Sequence, residues 1–305
     1  MHLSRPTVFQ GTAAGAIGGQ TSHLAPADKA LYALRDVTET VSSIPLIVSS
    51  ILSKKVAGGA ETVILDVKCG SGSFNPTREQ AEKLADALVA VSKLAGLRAF
   101  AAITDMDQPL GSSVGNALEV KEAIDVLSKP ESELSPNTKR FRELCRYYGA
   151  LALRVSGIAT NAGEALTRIE DTLQSGRALD KANQWIKAQG ATVDFNDTSW
   201  LAVAPVQLNL NAKGPGCVGK VDARTIGEIA LDLGAGRREK DDEIDLSVGL
   251  VINVKVGDLI SENHLLATIH AATSEAAAAA LARLEHAIMI QTAPIPPRPI
   301  LIRPA

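Results

Sequence analysis

The sequence predicts an α/β protein: a domain built on a mixed, largely parallel sheet, followed by a C-terminal α+β domain. In the first half, strand-like runs at 62–67 and 99–103 alternate with amphipathic helical patterns at 77–95 and 115–127, as in strand–helix units around a parallel sheet. In the second half, short strand-like runs between glycine and proline turns replace this pattern. The change places a domain boundary near residue 204.

Local signals support the elements of the first half. Pro45 suits the first turn of a helix, and Gly58-Gly59 ends that helix. The run Thr62 to Val67 is aliphatic and β-branched, which is typical of a buried strand. Thr77 and Gln80 form a capping-box pattern at the start of the helix that follows.

Helical spacing predicts three more helices before the boundary, at 137–158, 164–175 and 179–188. Beyond it, the patterns predict strands at 206–210, 218–221, 249–254 and 265–269 and an alanine-rich helix at 274–288. The proline-rich end, PIPPRPILIRPA, fits either a polyproline II segment or a strand bracketed by prolines. The strand is the simpler interpretation.

Composition excludes several classes of protein. The 305 residues hold 31 Lys+Arg against 34 Asp+Glu, and 46% are hydrophobic, which argues against disorder and against nucleic-acid binding through phosphate contacts. No apolar run approaches the roughly 18 residues of a membrane span, so no membrane partner is expected. Three widely spaced cysteines favour a reducing, cytoplasmic location without a disulfide framework.

Ser50 and Lys54 are the first candidate site residues. Their i, i+4 spacing puts a hydroxyl and an ammonium on one helix face, with Lys55 beside them and Arg35 on the preceding helical segment. Such a group suits a planar ligand with carbonyl oxygens, or an anionic leaving group whose charge the cations stabilise. A solvated helix face with scattered charges explains the same residues.

The loop 68–74, KCGSGSF, is a second candidate because it follows a strand and precedes a helix. Backbone N–H groups in such a loop can cradle a phosphate, but a tight strand-to-helix turn explains the glycines equally well. Cys69 beside Lys68 fits either an activated thiol or a small buried residue. No partner for catalysis is evident, so burial is the simpler explanation.

The histidines and one acidic loop complete the candidates. The five histidines show no metal-ligand spacing, and only His23 precedes the segment that carries Arg35. Glu243 follows the glycine pair of 234–236 in a charged run, where carbonyls and a carboxylate can chelate a monovalent cation. A solvated loop is the default explanation there.

Several stretches together closely resemble the thymidine phosphorylase and pyrimidine-nucleoside phosphorylase family. The most specific are GQTSHLAPADKALYALRDVTETVSSIPLIVSSILSKK (19–55) and TDMDQPLGSSVGNALEVKEAIDVL (104–127), with LDVKCGSGSF (65–74) and LGAGRREKDDEIDLSVG (233–249) in support. The resemblance implies a pentosyltransferase that uses phosphate as co-substrate: a pyrimidine nucleoside and phosphate give the free base and a pentose 1-phosphate.

The resemblance also implies site residues. Arg35 and Lys54 would donate to the pyrimidine carbonyl oxygens and stabilise the departing base anion, and Ser50 would meet the ring edge. Tyr32 and Asp28 would line and support the pocket. The resemblance implies no organic cofactor. It does imply a structural potassium ion, and the expected ligands are Leu231, Gly234 and Glu243.

The same resemblance predicts the domain organisation. Residues 1–24 would end the first part of the α/β domain, 25–57 would form a helical-lobe segment, 58–204 the α/β domain and 205–305 the C-terminal α+β domain. The family's Lys-His-Ser motif and glycine-rich phosphate loop do not occur here, nor do the N-terminal helices that build much of its homodimer interface. The alternative is therefore a truncated, non-catalytic homologue that at most binds the base.

Two other families explain parts of the chain less well. The stretch VGDLISENHLLATIHA resembles half of a biotinyl or lipoyl carrier domain, but no modifiable lysine is recognisable between Val206 and His270. The related anthranilate phosphoribosyltransferases would share the fold. The spacing of Arg35, Ser50 and Lys54 and the C-terminal domain argue against them.

Overall fold

The computed structural model describes residues 25–28, 31, 38, 40, 43–239 and 241–305. Among these, the helices are α1 (Ile44–Ala57), α2 (Arg78–Leu94), α3 (Asn116–Ser128), α4 (Pro136–Val155), α5 (Ala162–Gln174), α6 (Arg177–Ala188), α7 (Ala223–Leu233) and α8 (Ser274–Ala287), with a 3-10 turn at Glu131–Glu133. The strands are β1 (Thr62–Cys69), β2 (Arg98–Asp105), β3 (Ser113–Val114), β4 (Val206–Asn211), β5 (Gly216–Val221), β6 (Gly249–Ile252), β7 (Leu259–Ile260), β8 (Leu265–Ala271), β9 (Ile288–Gln291) and β10 (Leu301–Arg303).

The first sheet has the order β1-β2-β10. Strands β1 and β2 are parallel, and β10 adds antiparallel to β2. Leucine and alanine side chains of α2 pack on this sheet, and Val48 and Leu52 of α1 join the same core. Burying these aliphatic faces is what fixes α1 against β1 and α2.

Two further sheets form the C-terminal part of the fold, with the orders β3-β6-β8-β4 and β7-β5-β9. Their core is aliphatic and includes fully buried Ile226, Leu250, Ile269 and Leu284. The architecture confirms the predicted combination of a mixed α/β part and a C-terminal α+β part. The predicted domain bounds remain a prediction, although two strand pairings cross residue 204: β3 joins a C-terminal sheet and β10 joins the first one.

Most predicted elements occur within a few residues of their expected ends. Thr77 and Gln80 form the predicted capping box, and the tail is a strand over Leu301–Arg303 rather than polyproline II. Helix α7 and the short strands β3, β7 and β9 were not predicted. The sequence does hold two local signals for α7: Asp222 caps its first turn, and Gly234 ends the helix with φ 105°.

None of the helices in the described ranges combines the length and the apolar character that crossing a membrane requires.

Candidate functional site

Helix α1 presents Ser50 and Lys54 on one face, as their spacing predicts. Lys54 Nζ donates a hydrogen bond to Ser50 Oγ at 3.0 Å and forms an ion pair with Asp28 Oδ2 at 2.9 Å. Ser50 is buried, whereas the Lys54 side chain keeps about a fifth of its surface exposed (22%). The described part of the chain therefore brings Asp28, Ser50 and Lys54 together, and the plain solvated-face explanation does not fit them.

Two of the predicted base-binding residues, Tyr32 and Arg35, lie outside the described residues, as does His23. Their roles remain predictions from the resemblance. Lys55, the neighbour of Lys54, is exposed and does not line the cavity described next.

A cavity of about 480 Å³ opens beside Ser50 and Lys54. Its volume lies within the range of small-molecule sites. One wall is α1, the second is the edge of β1 with apolar side chains of α2, and the third is the loop after β1. Its lining includes Ile47, Ile51, Leu65, Val67, Leu84, Leu88, Phe74 and Met106. A mostly apolar cavity with a few polar side chains suits a planar ligand such as a heterocyclic base.

Two polar side chains of β1, Asp66 and Lys68, also border this cavity, and the sequence pointed only to Lys68, as the neighbour of Cys69. Lys68 Nζ lies 2.6 Å from Asp66 Oδ2 and donates to Thr104 Oγ1 at 2.9 Å. The Thr104 hydroxyl donates in turn to Asp66. Asp66 and Lys68 alternate on β1, so they share one face. That spacing was visible in the sequence, but the partner strand that brings Thr104 to them was not.

The glycine loop is a tight turn, because its N–H groups are used within the protein. Gly72 N–H donates to the carbonyl of Met106 at 2.9 Å, and Ser71 N–H donates to Asp107 Oδ1 at 2.8 Å. Gly70 N–H and Ser73 N–H also donate to backbone carbonyls of the loop. A phosphate cradle needs such groups free, so the turn interpretation prevails over the cradle in this conformation.

Cys69 is a buried residue rather than an activated thiol. Burial raises the pKa of its thiol, and the carboxylates of Asp107 and Asp105 raise it further. A thiol is activated when its pKa is lowered. The simpler of the two sequence interpretations is therefore the better one.

The predicted potassium ligands lie at and after the end of α7. The carbonyls of Leu231 and Gly234 each accept one backbone hydrogen bond, from Gly234 and from Asp245. Oxygen donors of this kind suit an alkali cation, and a carbonyl keeps a second lone pair. Glu243, however, is exposed and makes no hydrogen bond or ion pair with another described residue. The three residues therefore form no closed donor set here, and the potassium ion remains a prediction.

Comparison with known families gives two matches along the chain. The model for "Glycosyl transferase family, a/b domain" matches residues 9–179, which is more than half of the chain. The model for "Pyrimidine nucleoside phosphorylase C-terminal domain" matches residues 217–291. The first match contains the Ser50–Lys54 cavity, and the second contains most of the C-terminal strands.

Curated relatives give the same result. The pyrimidine-nucleoside phosphorylase of Staphylococcus haemolyticus (strain JCSC1435) is 46% identical over 257 residues, and that of Bacillus subtilis (strain 168) is 45% identical over 257 residues. Each alignment covers 84% of this chain and 58% of the relative. The chain therefore spans less than two thirds of the length of these relatives.

Proposed function

We propose that this chain takes part in the phosphorolysis of pyrimidine nucleosides, because it belongs to the pyrimidine-nucleoside phosphorylase family. In this reaction the bond between C1′ of the pentose and N1 of the base breaks, and the electron pair leaves with the base. A phosphate oxygen forms the new bond to C1′. The base anion takes up the proton that the attacking hydrogen phosphate gives up, so the products are the free base and a pentose 1-phosphate.

The observation that supports this proposal is the cluster of Asp28, Ser50 and Lys54 beside the cavity. Lys54 is held between the hydroxyl of Ser50 and the carboxylate of Asp28, so its ammonium is oriented before a ligand arrives. An oriented cation needs little reorganisation when negative charge develops on the departing base. Lys54 would donate to a pyrimidine carbonyl oxygen, and Ser50 would hydrogen-bond the polar edge of the ring.

Other residues would complete the base-binding site. Arg35 as the second cation and Tyr32 as a wall of the pocket rest on the resemblance. The apolar side chains of the cavity would cover the faces of the ring, and excluding water there strengthens the polar contacts to Lys54. Asp28 would not touch the base, and its role would be to hold Lys54 in position.

The test is phosphorolysis by the chain as it stands, with uridine, thymidine and 2′-deoxyuridine as substrates and release of the base as the readout. We expect turnover with at least one of these nucleosides. We also expect Lys54→Ala to lower kcat/KM by about 10²–10³, the loss typical of one preorganised charge-stabilising donor. Lys55→Ala is the matched control, because Lys55 is the next residue on α1, is exposed and does not line the cavity.

Base binding without turnover is the second candidate function, and it uses the same cluster. Titration of the chain with uracil, followed by calorimetry, separates the two. Uracil binding that Lys54→Ala abolishes, together with no release of base from any nucleoside, would establish binding alone. Equal activity of Lys54→Ala and Lys55→Ala would remove Lys54 from the site.

A further inference from the structure

A second cavity of about 490 Å³ lies between α4 and the C-terminal part of the chain. We call it the basic pocket. Its cationic lining residues are Lys139, Arg140, Arg142, Arg146, Lys255 and Arg298, against three acidic ones, Glu131, Glu143 and Asp258. It shares no lining residue with the cavity beside Lys54. The two cavities are nevertheless close along the chain, because Met106 lines the cavity beside Lys54 and Gln108 lines the basic pocket.

The arginines of the basic pocket are largely engaged by carboxylates behind it. Asp105 is shared by Arg140 and Arg298, each at 3.1 Å. Glu170 is shared by two more arginines: Arg142 at 3.0 Å and Arg146 at 3.4 Å. These pairs fix the planes of the guanidinium groups. The ion pairs therefore hold the arginines of the lining in place but leave some of their N–H groups without a partner.

The two lysines have no carboxylate partner among the described residues. The side chain of Lys139 makes no ion pair or hydrogen bond there and is partly exposed at the pocket. Lys255 is only 7% exposed and donates to the carbonyls of Pro109 and Gly111, at 2.6 and 2.7 Å. An ammonium has three N–H groups, so one donor of Lys255 is left over. A buried cation without a counterion is costly.

Unused donors also occur on two of the buried arginines. The Nε atoms of Arg140 and Arg142 are inaccessible to water and have no hydrogen-bond partner in the described part of the structure. The Arg142 side chain is 4% exposed. Buried donors without partners are rare in proteins, and Glu170 Oε2 is an acceptor without a hydrogen-bond partner in the same cluster. Atoms that water cannot reach are also out of reach of a ligand in the pocket, so the groups that favour an anion there are the two lysines without a carboxylate partner.

We propose that the basic pocket binds a phosphate group, with Lys139 and Lys255 as its two ammonium partners. Lys139 and Lys255 have no carboxylate partner among the described residues, and a phosphate monoester, with a charge of about −1.5 to −2 near neutral pH, would favour the charged form of the buried Lys255. Guanidinium groups with fixed planes suit tetrahedral phosphate oxygens. The N-terminal turn of α4 borders the pocket through Pro136 and Asn137, and a helix N-terminus favours an anion.

The volume of the pocket accepts more than a bare ion. A cavity of this size holds ligands as large as a sugar phosphate, so the phosphate group can belong to inorganic phosphate or to a phosphorylated pentose. Because the pocket joins α4 to the loop at Lys255 and to the tail at Arg298, an occupant would tie the two parts of the fold together. Binding should therefore raise the thermal midpoint of the full chain.

The test measures binding to the full chain by calorimetry and by thermal unfolding, with inorganic phosphate and ribose 5-phosphate as separate probes and sodium chloride at matched ionic strength as the blank. Binding of either probe with a raised midpoint supports the proposal and identifies the source of the phosphate. We expect Lys139→Ala to raise Kd about tenfold, as for loss of one charge-assisted contact. Arg154→Ala is the matched control, since Arg154 is exposed on the same helix and does not line the pocket.

Two more variants separate this site from the cavity beside Lys54. Lys255→Met should abolish the phosphate-induced rise of the midpoint, and Lys54→Ala should leave it unchanged. If Lys255→Met does not fold, Lys139→Ala alone decides. The proposal is overturned if neither probe binds, if Lys139→Ala binds phosphate like the unmodified chain, or if Arg154→Ala loses as much affinity as Lys139→Ala.

Discussion

Lys54 and Asp28 form a 2.9 Å ion pair that joins α1 to the segment before it. Both side chains are mostly covered, with 22% and 11% of their surfaces exposed. The pair therefore loses less to solvent screening than a surface pair would. Asp28 is a positioning residue for Lys54 under the proposed function.

Asp28→Asn keeps the size and polarity of the side chain and removes its charge. We expect kcat/KM for phosphorolysis to fall about tenfold, which is less than the effect of Lys54→Ala, because the ammonium stays but is held less firmly. The loss should appear mainly in kcat rather than KM. A change confined to KM would assign Asp28 a role in ground-state binding instead, and Asp28→Glu should restore part of the loss.

Gly70 is required where the loop after β1 meets the segment after β2. Its φ is 134°, and a Cβ atom there would lie 2.3 Å from Asp107 N. We expect Gly70→Ala to lower the free energy of unfolding by about 2–4 kcal/mol, from backbone strain and overpacking together. Urea unfolding measures this change.

The control for Gly70 is Gly96→Ala. Gly96 also has a positive φ, 77°, but nothing lies within 4 Å of an added Cβ. We expect a loss of only about 1–2 kcal/mol, from the left-handed backbone alone. If both substitutions lower the free energy of unfolding equally, the close approach of the two loops at Gly70 does not contribute to stability.

Glu122 of α3 holds the turn before β3 and the first residue of that strand, Ser113, through its buried carboxylate. The carboxylate accepts from the N–H groups of Ser112 at 2.8 Å and Ser113 at 2.9 Å and from the Thr138 hydroxyl at 2.8 Å. Glu122→Gln turns one acceptor into an NH₂ group that faces a donor. We expect about 2–3 kcal/mol less stability in urea unfolding.

Glu119→Gln is the matched control for Glu122. It lies on the same helix, is exposed and accepts one backbone hydrogen bond, from Gly115 at 3.0 Å. Its substitution should cost less than about 1 kcal/mol. A similar cost at both positions would mean that the turn is held by packing rather than by the Glu122 carboxylate.

Lys255 makes stability depend on pH. Burial, assisted by the charge of Arg140, lowers the pKa of Lys255 from 10.5 to about 7, while Glu122, Asp258 and Asp105 oppose the shift. The unfolded chain keeps the ordinary pKa, so above about pH 7 it binds more protons than the folded chain at this residue. The Lys255 contribution to the free energy of unfolding therefore rises with pH between about 7 and 10.5, by at most about 1.4 kcal/mol per pH unit.

Lys255→Met removes that contribution while leaving a side chain of similar length. Urea unfolding near pH 7 and near pH 9 should show a steeper gain with pH for the unmodified chain than for Lys255→Met. Parallel changes in the two proteins would contradict the lowered pKa. The comparison is made without phosphate, so that occupation of the basic pocket does not enter.

Local patterns predicted much of the site because the forces involved are local. The i, i+4 spacing alone placed Ser50 and Lys54 on one face, and the structure shows them hydrogen-bonded. The capping box of Thr77 and Gln80 is equally local. By contrast, Thr104 reaches Lys68 only because β1 and β2 pair in a particular parallel register, and no pattern within either strand specifies that register.

The sequence by itself determined the order of the main helices and strands, the aliphatic core and the pairing of Ser50 with Lys54, because periodicity and capping act over a few residues. Only the tertiary structure decided that the glycine loop is a turn rather than a phosphate cradle, since Met106 and Asp107, in the segment after β2, accept hydrogen bonds from its N–H groups. Only the tertiary structure brought Lys255 to the carbonyls of Pro109 and Gly111. Contacts between distant segments depend on how the sheets and helices pack, and that packing is set by the whole chain.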